Sequence, residues 1–123
     1  MNHLFVPYEE SLELKELGFD EPCFGYYNNN NEFTFFADVK NCNTNSEFGF
    51  HPTAPIFSQA FKWFREKHEL YHIIHCPTKD TAVFTITSFS QPSVFSDMEL
   101  KSYEEAELAC LKKLIEIVKT NKA

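Results

Sequence analysis

Apolar positions recur with a helical period in three stretches of this chain, and with strand-like patterning in four others. The clearest helix is Ser102–Lys119, SYEEAELACLKKLIEIVK. Ser102 and Glu105 have the S-x-x-E spacing in which each partner satisfies an orphan N–H at a helix start. Glu104, Glu105 and Glu107 lie at the positive end of the helix dipole, and Lys112, Lys113 and Lys119 toward the negative end. Leu108, Leu111, Ile115 and Val118 form one apolar stripe, and Ala106, Cys110, Leu114 and Ile117 a neighbouring one. So wide an apolar face predicts a core helix with surface to spare for a second subunit.

A first helix is predicted from about Pro7 to Leu17, with Gly18 and Phe19 as a left-handed stop and Tyr8, Leu12, Leu14 and Leu17 inward. A middle helix, about Pro55–Lys67, places Phe57, Ala60, Phe61 and Phe64 at i, i+3, i+4 and i+7. Phe24–Tyr27 and Glu32–Val39 flank four asparagines and predict a hairpin, with Phe33, Phe35, Ala37 and Val39 on one face. Leu70–Cys76 and Ala82–Phe89 predict a second hairpin around Pro77–Thr81, with Phe84 and Ile86 inward and Val83, Thr85 and Thr87 outward. Residues 40–54 read as a long loop holding Phe48, Phe50 and His51, and Val94–Phe95 as a short edge strand. The order α-β-β-α-β-β-α predicts an α+β fold: a single domain over residues 1–123, with an antiparallel sheet of about four strands covered mainly on one face by three helices.

The 14 Phe supply the apolar mass for a core without metal or disulfide staples. No run approaches the ~20 apolar residues of a membrane span, and the N-terminus lacks the pattern of a signal peptide, so a cytoplasmic protein away from membranes is expected. A net charge of −7 disfavours a nucleic-acid polymer as partner. Arg65 is the lone arginine and so the lone side chain able to fork onto a carboxylate or phosphate. Cys23, Cys42, Cys76 and Cys110 form no C-x-x-C pair and read as free thiols, Cys76 and Cys110 buried.

Catalytic motifs are missing: no G-x-S-x-G, no H-E-x-x-H and no glycine-rich phosphate loop. Of the Cys–His pairs that can be drawn, His75 and Cys76 point to opposite faces of a strand, and only Cys42 with His51 stays open. Neither a metal nor a cofactor is expected. The side chains that suggest chemistry are aromatic and cationic: Tyr26, Tyr27, Lys62, Trp63, Arg65 and His72, with Tyr71 and His75 beside them. Rings stack on nucleobases and a guanidinium forks onto phosphate, so these residues are candidates to bind a small nucleotide. The structural alternative has Trp63 covering the helix flank, Arg65 paired with a surface Glu and the tyrosines finishing the hairpin's outer face.

Three blocks, LKELGFDEPCFGYY, QAFKWFREKHEL and SYEEAELACLKKLIEIVK, resemble a family of small bacteriophage and prophage proteins, often from phages of Bacteroidetes hosts. They cover about a third of the chain, and the family offers no catalytic residue to carry over. The resemblance implies an accessory phage protein acting inside a bacterium by binding. The leading expectation is an oligomeric sponge that sequesters a small anionic nucleotide signal. An acidic inhibitor or adaptor acting on a host defence protein is the alternative, followed by a small nucleotide-cleaving hydrolase using His51, His72 or His75.

Overall fold

A computed structural model describes residues 4–36, 52–89, 92–95 and 100–122. The protein is α+β: the described residues form three helices and antiparallel strands in the predicted order, with one additional short strand before the middle helix. The strands form two three-stranded sheets rather than a single sheet, and the chain forms two compact units, Met1–Ala60 and Phe61–Ala123.

In the first unit α1 (Tyr8–Glu16) follows Pro7, which flanks the helix instead of opening it. Its end is the stop the sequence predicts. Gly18 has φ of +102°, its N–H donates to the Lys15 carbonyl, and the Phe19 N–H donates to the Leu14 carbonyl. Leu14 and Phe19 are both buried, supplying the apolar contact that accompanies this cap. The inward face is rotated from the predicted one, for Glu10, Ser11 and Leu14 are buried while Tyr8 and Leu12 are half-buried. Ser11 explains part of the rotation, since its hydroxyl donates to the Val6 carbonyl.

β1 (Gly25–Tyr27) and β2 (Phe33–Phe35) form the asparagine hairpin. Asn31 adopts a left-handed φ of 61°, and the Asn28 side-chain oxygen accepts the N–H groups of Asn30 and Glu32. β3 (Thr53–Ala54) pairs with the other side of β1, so the end of the predicted loop is sheet. Residues 40–51 of that loop, Phe48, Phe50 and His51 included, lie outside the described residues, as do Ala37 and Val39.

α2 (Phe57–His68) buries Phe57, Ala60, Phe61 and Phe64, the predicted stripe, and the division between the units falls within it. In the second unit β4 (Leu70–Thr78), β5 (Thr81–Ser88) and β6 (Val94–Phe95) form a sheet in that order. Ala82, Phe84 and Ile86 are buried on one face, and Val83, Thr85 and Thr87 lie half-buried on the other. α3 (Tyr103–Lys122) lies against β5 and β4. Its two apolar stripes are buried except for Leu108 and Ile117, which are half-buried. The Ser102 hydroxyl accepts the Glu105 N–H as predicted, while the Glu105 carboxylate reaches one residue further back, to the Lys101 N–H.

Candidate aromatic pocket

The six predicted binding residues are divided between the units: Tyr26 and Tyr27 belong to the first, Lys62, Trp63, Arg65 and His72 to the second. Consecutive strand residues face opposite ways, so Tyr26 and Tyr27 serve different surfaces. Tyr26 is half-buried with its ring 5.0 Å from that of Phe36. Tyr27 is buried and its hydroxyl donates to the Val6 carbonyl at 2.6 Å. Burial, then the nearby Glu10 carboxylate, raises the Tyr27 pKa.

In the second unit Trp63 is only 5% exposed, set edge-on against Phe64 and His68. Lys62 is exposed and Arg65 half-buried. The His72 ring stacks on Phe61 at 3.7 Å, and its pKa is lowered, first by burial and then by the Arg65 charge. Arg65 and His72 are thus brought together, with the imidazole held toward its neutral form. Cys76 is exposed, contrary to expectation, because β4 leaves its last residues uncovered. Cys110 is buried in α3, its thiol pushed up to about 12 by burial and then by Glu107, which keeps it protonated and inert. Cys42 and His51 lie outside the described residues. Among the described residues no three His, Cys, Asp or Glu side chains gather as a metal site.

A concavity of about 410 Å³ in the first unit is built from aromatic rings of which Tyr27 alone is among the predicted binding residues. Its walls are Phe5, Pro7, Tyr8, Tyr27, Asn31, Phe33 and Phe35. Backbone geometry explains why they meet. The Val6 N–H donates to Pro55 and the Phe57 N–H to Leu4, which pins the N-terminal segment beside the start of α2. Phe5 forms an isolated bridge with Ile56 in the same place. From the other side, Phe33 and Phe35 alternate along β2 and so share a face. Tyr27 joins them because Tyr27 and Phe33 are paired in the β1–β2 register.

The rings interlock at angles. Phe5 lies 4.3 Å from Phe33 with a 38° tilt, and Phe33 and Phe35 are edge-to-face at 4.8 Å. Tyr8 meets Tyr27 edge-to-face at 5.7 Å. Phe5 and Tyr27 are buried while Phe35 is 57% exposed, so the floor is fixed and one wall presents ring surface to solvent. Among the described residues no lysine or arginine lines the pocket, and Glu10 lies close enough to Tyr27 to shift it. Asn31, placed by the turn, contributes an amide at the rim. The signal in the sequence was the i, i+2 spacing of Phe33 and Phe35, whereas nothing local marks Phe5 as their neighbour. No family model, no curated protein and no solved structure matches this chain.

Proposed function

We propose that this is a non-catalytic binding protein whose aromatic pocket takes the flat ring of a small molecule, with a nucleobase as the leading candidate. The observation that carries the reading is a concavity of about 410 Å³ with a fixed aromatic floor and a half-exposed Phe35 wall. That volume falls in the range of small-molecule sites, and each base stacked on an aromatic ring contributes about 1–3 kcal/mol. Among the described residues the lining holds no cationic side chain, which makes recognition ring-first. A phosphate, if the ligand carries one, points out of the pocket and adds little. The resemblance of three sequence blocks to phage accessory proteins supports a sequestering role in the host cytoplasm, and among the described residues no helix is long and apolar enough to cross a membrane.

Calorimetric titration with adenosine, AMP, a cyclic dinucleotide and ADP-ribose tests this. A nucleoside and its phosphorylated form are expected to bind with similar affinity, and Phe35→Ala to weaken both by about tenfold or more. Binding that survives Phe35→Ala but is lost in Lys62→Ala or Arg65→Ala would move the ligand to the second unit and end the proposal. So would an absence of binding across all four probes.

A further inference from the structure

The whole net charge of −7 belongs to the unit that holds the pocket. Met1–Ala60 contains nine Asp and Glu against two Lys, Lys15 and Lys40, and no Arg. Phe61–Ala123 contains nine acidic and nine basic residues, so the second unit adds nothing to the imbalance. A concave surface under one sign of charge concentrates ions of the other sign.

Three carboxylates adjoin lining residues in the sequence. Glu9 and Glu10 follow Tyr8, and Glu32 lies between Asn31 and Phe33. Glu10 is buried, and its charge acts on Tyr27. Glu9 and Glu32 are exposed. Among the described residues no cationic side chain of the lining offsets them.

The walls favour the same sign. The face of an aromatic ring is the negative part of its quadrupole, and a cation within about 6 Å of the ring centroid is drawn to it. Phe33 and Phe35 meet at 88°, and Tyr8 and Tyr27 at 81°. A flat ligand stacked on one ring of such a corner turns its edge toward the face of the other. A positively charged edge gains more there than a neutral one.

We infer that the pocket selects a flat heteroaromatic ring carrying its own positive charge, such as an N-alkylated purine, over the neutral ring of the same shape. The inference rests on the pocket being a flat-ring site and adds the ligand's charge to that reading. The charge has to lie on the ring. A phosphate beyond the rim stands in water, where charges are screened over about 8 Å at physiological ionic strength, and it leaves the selection intact.

Calorimetric titration at pH 7 with two methylated adenosines tests the inference. 1-Methyladenosine is a cation at that pH, and N6-methyladenosine is its neutral isomer. The cation is expected to bind about fivefold more tightly or better, within the range of one cation–π contact. Glu32→Lys reverses an exposed charge beside two lining residues. It is expected to weaken the cation several-fold and leave the neutral isomer unchanged. Isomers that bind the wild type equally overturn the inference while the flat-ring reading stands, and so does a Glu32→Lys effect that is the same on both. Tetramethylammonium carries the charge without a ring, and if it binds as tightly as 1-methyladenosine both conclusions fall. Binding of neither isomer nor adenosine ends both as well.

Discussion

The two units solve the problem of burying apolar surface in different ways. The second lays one long helix on a sheet and packs rings and aliphatic side chains together: Phe61, Trp63, Phe64 and Phe84 are buried with Leu111, Leu114, Ile115 and Val118 from α3. Among its described residues the first has two- and three-residue strands and a nine-residue helix, and it closes its interior with rings set edge-to-face. Aliphatic side chains interdigitate until no space is left. Rings locked at right angles leave concave gaps between them, and Phe35 borders such a gap. The comparison teaches that a pocket can arise where a small unit builds its core from a few large rigid side chains. It arises there at little cost, because several of those rings are incompletely buried already.

The largest test of that contrast is a pair of truncations. Leu114→Ala removes a fully buried side chain from the second unit and is expected to cost about 2–5 kcal/mol, read from the urea midpoint. Phe35→Ala removes a larger side chain from the first unit, yet one that is mostly exposed and held by ring contacts, and is expected to cost about 1 kcal/mol. Equal losses would show that Phe35 belongs to a closed core and that the concavity is not a site.

A glycine sharpens the same comparison at the next scale. A Cβ added at Gly25 would lie 2.5 Å from the Thr34 carbonyl oxygen and 2.6 Å from the Phe33 ring. The backbone of β2 and a wall of the pocket therefore both occupy the space that glycine leaves. Gly25→Ala is expected to destabilise the chain by about 1–3 kcal/mol and to displace Phe33, weakening ligand binding at the same time. Unchanged stability with unchanged binding would mean that the first unit is looser than its ring geometry implies.

Local patterns made the elements legible, and distance in sequence hid the site. The Gly18 stop, the Asn28–Asn31 turn, the Ser102 cap and the Phe57–Phe64 stripe each depend on residues within seven positions, and each forms as read. The division into two sheets was not legible, because nothing in a strand's own residues says which strand lies beside it. β3 escaped notice for a related reason: two residues, Thr53 and Ala54, carry no periodicity, and their strand exists only through pairing with β1. The candidate site fared the same way. Tyr27 was singled out for its ring, but Phe5, 22 positions earlier, meets Phe33 only because backbone hydrogen bonds to Pro55 and Phe57 hold the N-terminal segment in place. Trp63 attracted attention as the lone tryptophan, and its bulk serves the interior instead.

The smallest expected effect concerns His72, the member of the predicted cationic group that the second unit draws partly inside. Its ring stacks on Phe61, and its pKa lies below the usual 6.5 because burial and then Arg65 disfavour the charged form. As pH falls through about 6.5, the unfolded chain takes up a proton that the folded chain excludes. The stability of the second unit is therefore full above that value and declines from there toward the folded pKa. His72→Phe keeps a ring against Phe61 and removes the titration. Urea midpoints measured from pH 7.5 to 5 should fall more steeply for the wild type than for the variant, since the remaining histidines contribute alike to both. Parallel slopes would mean that the imidazole accepts its proton where it stands, and that the stacked edge of the second unit is open to water in the way the aromatic wall of the first is.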